Sequence, residues 1–120
     1  MPPADDTFAV EDGLLVRWVI PSATSRRQSK PYVHTCTQQV YEEVAYAIDE
    51  LNGGTFTGES IRETIDAPFT QVMVAMAFLR DRGCIVPAHG RKNQAAAGNA
   101  GCFYEDAMLE WCYLRENRGD

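Results

Sequence analysis

The ionisable and nucleophilic side chains of this 120-residue chain do not form a pattern that catalysis requires. Carboxylates occur as adjacent pairs, such as Glu42-Glu43, on the polar side of a predicted helix. General acid–base catalysis needs a sheltered carboxyl group with a shifted pKa, which a solvated helix face does not provide. Gly53-Gly54 lacks the spacing of a phosphate-binding loop. We therefore expect no enzymatic activity and no cofactor.

Four cysteines and two histidines are scattered along the chain without the spacing of a metal site. No Cys-x-x-Cys pair occurs, and the histidines do not complete a zinc-ligand pattern. We expect the thiols to be reduced and to pack as small apolar side chains. A disulfide between Cys84 and Cys102 is the alternative, if these two residues lie on neighbouring strands. The full set is Cys36, Cys84, Cys102, Cys112, His34 and His89.

The composition, with 45% hydrophobic and 23% charged residues, is typical of one soluble folded domain. The longest apolar run, residues 72–79, is much shorter than the roughly 18 residues needed to span a bilayer. The N-terminal residues lack the basic and apolar segments of a signal peptide. These features predict a cytoplasmic protein without a membrane segment.

The charges are unevenly distributed along the chain, whose net charge is −6. Residues 35–67 carry seven acidic residues against one basic residue, whereas residues 68–104 carry four basic residues against one acidic residue. A small basic cluster, Arg26, Arg27 and Lys30, lies in a polar loop, and such clusters are usually solvated. An acidic chain is not a general polyanion binder, so any contact with nucleic acid must come from a local basic patch.

Turn residues and apolar periodicity divide the N-terminal part into a hairpin and three helices. Residues 7–20 form a predicted β-hairpin around Asp12-Gly13, a dipeptide suited to a tight turn. The first helix starts at the capping pattern of residues 35–38 and stops at residues 52–54. A bridge strand, residues 55–57, leads into a second helix that ends near Ile65. The third helix, residues 68–82, starts at a proline and stops at a glycine.

The C-terminal part alternates strand, loop, strand and helix. Residues 84–86 predict a strand that Pro87 ends, and residues 89–101, rich in glycine and asparagine, predict a loop. Residues 102–104 are the predicted return strand, and residues 105–115 the last helix.

The stretch from Phe56 to Val86 carries a family resemblance. It contains a short helix, a tight turn, a helix with Val72, Ala75, Met76 and Leu79 inward, then Arg-Asp-Arg-Gly and an aliphatic strand. This order resembles the winged helix-turn-helix superfamily of small transcription-regulator-like DNA-binding domains, over roughly residues 35–104. The resemblance implies an α+β fold: a three-helix core plus a two-stranded wing. An N-terminal β-hairpin with a polar loop (residues 1–34) and a C-terminal helix and tail (residues 105–120) flank that domain.

The resemblance also implies a function and a set of contact residues. The chain would be a transcriptional regulator that binds double-stranded DNA as a dimer, through the C-terminal helix or the hairpin. The third helix would enter the major groove, with Gln71 offering its amide to an adenine edge. The loop 88–100 would be the wing and would neutralise phosphates. The implied contacts are Phe69, Thr70, Gln71 and Val74 on the helix, and Arg91 and Lys92 on the wing.

The third helix departs from the family pattern because no lysine or arginine occurs between Glu63 and Leu79. It is apolar nearly all round, with Met73, Val74 and Phe78 on the side expected to face DNA. Such a helix is normally buried on both sides or part of an interaction surface. The alternative function is therefore a winged-helix protein–protein interaction module that uses this helix without binding DNA. The superfamily's usual role favours DNA binding by a narrow margin.

Overall fold

The chain has an α+β fold with two small antiparallel sheets and four helices in the residues described, which are 7–19, 32–96 and 102–116 of a computed structural model. One sheet has the strand order β1-β2-β3, and the other is the hairpin β4-β5. The elements are β1 (Thr7–Glu11), β2 (Leu14–Val19), β3 (Tyr32–Thr37), α1 (Gln38–Asp49), α2 (Gly58–Ile65), α3 (Phe69–Asp81), β4 (Ile85–Pro87), β5 (Asn93–Ala95) and α4 (Phe103–Glu116).

The N-terminal hairpin is confirmed, and a third strand extends it. Strands β1 and β2 are joined at Asp12 and Gly13, which have φ angles of 53° and 77°. Strand β3 pairs with β2, so Val10, Leu15 and Cys36 form one buried row across the sheet. The basic cluster in the predicted polar loop lies outside the described residues.

The start of the first helix was placed too early by the sequence. Thr35 and Cys36 belong to β3, and Thr37 caps α1 by accepting a hydrogen bond of 3.1 Å from the Val40 N–H group. Both threonines can cap a helix, so the local pattern did not discriminate between them. Pairing with β2, which is distant in sequence, decides the boundary.

Helix α3 is apolar nearly all round because it packs on two sides. One side packs against α1 and α2, and another packs against the sheet β1-β2-β3. The Phe78 ring meets the Phe8 ring edge-on at 5.4 Å between centroids and lies 6.0 Å from the Tyr41 ring. The predicted helix over residues 68–82 is thus confirmed, and the N-terminal sheet covers part of it.

The predicted return strand, residues 102–104, is wrong. Phe103 and Tyr104 lie in the first turn of α4, and the strand that pairs with β4 is β5. Phe103, Ala107 and Trp111 recur every four residues and are buried. The Tyr41 hydroxyl donates a hydrogen bond of 2.5 Å to the Ala107 carbonyl, and the Tyr41 ring lies 4.9 Å from the Trp111 ring. This packing of α4 against α1 favours a helical conformation for Phe103 and Tyr104 despite their β propensity.

One buried cluster draws residues from the N-terminal sheet, from the three central helices and from α4. Within the described ranges, no helix has the length and apolarity needed to cross a membrane.

Candidate nucleic-acid interface

The corner between α2 and α3 presents the N-terminus of α3 at the surface. Thr57 and Ser60 form a capping box, in which the Ser60 N–H donates to Thr57 Oγ1 and the Thr57 N–H donates to Ser60 Oγ. Asp66 ends α2 in the left-handed conformation, with φ 54°. At Gly58 a Cβ atom would lie 2.9 Å from the Met73 Sδ atom, so the absence of a side chain lets α2 approach α3 closely.

Only a narrow stripe of α3 remains accessible. Phe69, Met73, Ala77 and Arg80 follow one another at spacings of four, four and three residues, which places them along one side of the helix. Phe69 and Arg80 are exposed, and Met73 and Ala77 are half-buried. Thr70 is exposed beside this stripe. A groove of DNA would therefore meet hydrophobic side chains, the Thr70 hydroxyl group and the Arg80 cation, with the exposed Asp81 carboxylate at the C-terminal end of the helix.

Val74 was predicted to contact DNA, and this prediction is wrong. Its side chain has 0% exposure, as does that of Phe78. Both lie on the buried side of α3, so neither can reach a groove or a partner protein. The protein-interaction alternative therefore loses Val74 and Phe78 from its apolar surface but keeps Phe69, Met73 and Ala77.

Gln71 is half-buried and faces the junction of β3 with α1. Its Oε1 atom accepts a hydrogen bond of 3.0 Å from the Thr37 N–H group. A bidentate contact to adenine needs both the oxygen and the nitrogen of the amide, so this hydrogen bond removes half of the predicted contact. Of the four predicted helix residues, Phe69 and Thr70 are the exposed ones.

The β4-β5 hairpin carries the two predicted basic residues at its tip. Its turn, residues 88–92, is closed by hydrogen bonds from the Ala88 N–H to the Lys92 carbonyl and from the Lys92 N–H to the His89 carbonyl. Gly90 has a φ of 65°, which this turn requires. Arg91 and Lys92 are exposed there. The turn is shorter than the predicted loop of residues 88–100 because β5 begins at Asn93.

Asn93 joins three parts of the molecule. Its backbone exchanges hydrogen bonds of 2.8 and 2.7 Å with Phe56, and its Oδ1 atom accepts one of 3.1 Å from Arg80 Nη2. Asn93 is the one polar residue that is buried among the described residues. The guanidinium group of Arg80 is thereby held at Asn93, so the C-terminal end of the exposed stripe of α3 meets the first residue of β5.

Sequence reasoning missed Asn93 because it stands in a glycine- and asparagine-rich stretch that is typical of a loop. It also missed Arg62, which lines a shallow hollow with Glu59 and Phe69 at the start of α3. Arg82, in contrast, turns towards α4. Its guanidinium lies 5.2 Å from the Phe78 ring centroid and 3.9 Å from a Glu110 carboxylate oxygen.

The buried thiols are not activated for nucleophilic chemistry. Burial raises the pKa of the Cys36 thiol to about 12. Burial, and then the nearby carboxylates Glu110 and Asp106, raise the pKa of Cys84 to about 11. The four cysteines are all unpaired, so Cys84 and Cys102 form no disulfide. Across the described ranges, no three cysteine, histidine or carboxylate side chains are grouped so that they could hold a metal ion.

Comparison of the chain with protein-family models, with curated proteins and with solved structures gives no significant match.

Proposed function

We propose that the chain is a winged-helix protein that binds double-stranded DNA, with α3 as the recognition helix and the β4-β5 hairpin as the wing. The order α1, bridge at Phe56, α2, α3, β4, β5 supports this assignment, since it is the order that the resemblance implies. One observation carries the proposal most directly. The side chain of Asn93 ties Arg80 of α3 to the hairpin strand β5, and Arg91 and Lys92 directly precede Asn93 in the chain.

These three cations supply most of the affinity in the proposed complex. Each phosphate contact releases counterions, and three contacts give a slope of about −2.7 in a plot of log K against log salt concentration. Arg62 adds less because the carboxylate of Glu59 lines the same hollow. Binding is therefore weak at physiological salt and is governed chiefly by the backbone of the duplex.

Sequence preference in this complex comes from few groups. Phe69 can pack on a thymine methyl group, and the Thr70 hydroxyl can bond a base edge or a phosphate. Because α3 adds only Arg80 and the exposed Asp81 carboxylate, which repels phosphates, to these two groups, discrimination between duplexes is small.

The proposal includes a regulatory homodimer in the cytoplasm. Leu109 and Tyr113 support a dimer through α4, because they lie four residues apart on its outer side and are 52% and 55% exposed. Size-exclusion chromatography with light scattering tests this part. A wild-type dimer that Leu109→Glu converts into a folded monomer supports it, and a wild-type monomer contradicts it.

Fluorescence anisotropy with a labelled duplex of about 20 base pairs tests DNA binding at about 50 mM salt. The double substitution Arg91→Ala/Lys92→Ala should weaken binding by about tenfold or more and reduce the magnitude of the salt slope by about 2. Arg115→Ala is the control, since this exposed cation lies in the last turn of α4 and is separated in sequence from the β4-β5 hairpin. No measurable affinity in the wild type, or equal losses in the two variants, contradicts the proposal.

A further inference from the structure

A groove of about 510 Å³ lies between α1, α2 and α4, and none of its lining residues belongs to α3, β4 or β5. Ala47 and Ile65 contribute apolar surface to it. Tyr46 and Tyr104 line it with their rings edge-on, 6.2 Å between centroids. Tyr46 is 56% exposed, which is high for an aromatic side chain beside a concave surface. The groove therefore offers aromatic and apolar surface that the described part of the chain leaves open.

The groove also has a strongly acidic lining. Glu42, Glu43 and Glu50 line it, and no lysine, arginine or histidine does. Among the described residues no cation pairs with these three carboxylates. Gln38 donates a hydrogen bond of 2.9 Å to Glu42 and so orients its carboxylate without neutralising it.

We propose that this groove docks a cationic segment of a partner protein. A lysine or arginine of that segment lies over the Tyr46 ring, where the ring face and the glutamates both attract a cation. An adjacent apolar side chain of the segment packs on Ala47 and Ile65, which removes exposed hydrophobic surface from water. Charge complementarity selects a basic segment over the acidic and neutral alternatives.

The inference is independent of DNA binding, because the two surfaces share no residue. The molecule then has two oppositely charged surfaces. The basic edge formed by Arg80, Arg91 and Lys92 attracts polyanions, and the groove attracts cations. A partner docked in the groove can therefore stay bound while the basic edge is occupied.

Titration of the ¹⁵N-labelled full chain with synthetic peptides tests the proposal. The probe is a helical peptide of alternating lysine and leucine pairs, and a second peptide has glutamate in place of lysine. The lysine peptide should cause saturable shifts in the amide resonances of residues 42–50 and 64–65, and the glutamate peptide should cause none. Spermine and a titration of the protein concentration test the other occupants, a small polyamine and a second copy of the chain.

Two matched pairs of variants locate the binding. Tyr46→Ala should weaken peptide binding by about fivefold or more, whereas Val33→Ala, which removes a 48% exposed apolar side chain on β3 outside the groove, should not. Glu43→Gln/Glu50→Gln should also weaken it, and Glu11→Gln on β1 should leave it unchanged.

Three results would overturn the proposal. The first is the absence of saturable shifts with the lysine peptide, and the second is an equal loss in the groove variants and their controls. The third is spermine producing the same shifts at the same concentration, or dilution of the chain alone producing them, since a polyamine or a second copy would then be the occupant.

Discussion

The side of α3 that faces the N-terminal sheet and the side that faces solvent are both rich in apolar residues, but only one of them is buried. Val74 and Phe78 have no exposed surface, while Phe69 is 45% exposed on the other side. The difference comes from three strands that precede the helix by many residues. It separates side chains that hold the fold together from side chains that remain accessible for contact.

Substitution by glutamate on the two sides should produce the largest contrast. Val74→Glu places a carboxylate where no water or cation reaches it, and burying such a charge costs several kcal/mol, so we expect the chain to unfold. Thr70→Glu puts the same group on the exposed side, where the fold should survive and DNA affinity should fall through repulsion of phosphates. Circular dichroism and anisotropy check both. A folded Val74→Glu protein would mean that the sheet does not cover α3.

Replacing Phe78 on the buried side and Phe69 on the exposed side by alanine should also give different losses of stability, with a smaller difference than the glutamate substitutions. Phe78→Ala removes contacts with Phe8, Tyr41 and Arg82 and should lower the free energy of unfolding by about 3–5 kcal/mol. Phe69→Ala should cost less than about 1 kcal/mol because nearly half of its surface is already in water. Urea denaturation measures both values. Equal losses would contradict the assignment of buried and exposed sides.

The sequence was sufficient for the corner formed by α2 and α3 because its signals are local. The Thr57 cap, the turn at Asp66 and the stop at Gly83 each depend on neighbouring residues, and all three are confirmed. The α+β class follows from the same kind of signal. The winged-helix assignment stays a prediction, and so do the DNA contacts that it implies apart from Val74, which is buried.

The burial of Val74 could not be predicted from the sequence, because it depends on strands distant in the chain. The return strand was misplaced for a similar reason. Residues 93–95 have little β propensity of their own, and they form a strand through pairing with β4 and with Phe56. The aromatic pair Phe103-Tyr104 has higher propensity, but its packing against α1 favours a helix.

Removal of the Asn93 side chain should affect the exposed side without disturbing the buried side. Asn93→Ala removes the acceptor that holds Arg80 against the β4-β5 hairpin, and a hydrogen bond to a charged group contributes about 1.5–3 kcal/mol. Because Arg80 itself is exposed and can bond water instead, we expect the free energy of unfolding to fall by an amount near the lower end of that range. DNA affinity should decrease by about threefold or more. Gln94→Ala is the control from the same strand. Unchanged DNA affinity in Asn93→Ala would show that the position of Arg80 is unimportant.

Titration of the buried Cys36 thiol should have the smallest effect on stability. It tests whether water is excluded from the side of α3 that the sheet covers. Cys36 lies in the buried row of the sheet, and burial raises its pKa from the ordinary value of 9.0 to about 12. Between these values the unfolded chain loses the thiol proton and the folded chain keeps it. The contribution to stability is therefore fully present below pH 9 and falls as the pH rises towards 12.

For this single group the loss between pH 8 and pH 9.5 is roughly 0.8 kcal/mol. Urea denaturation at the two pH values should therefore show a smaller decrease for Cys36→Ala than for the wild type. Cys102→Ala should behave as the wild type does, since Cys102 is exposed. Alkylation by iodoacetamide gives a second measurement, in which native Cys102 reacts and native Cys36 does not. Rapid alkylation of Cys36, or equal pH dependence in Cys36→Ala and the wild type, would mean that the sheet does not exclude water from the covered side of α3.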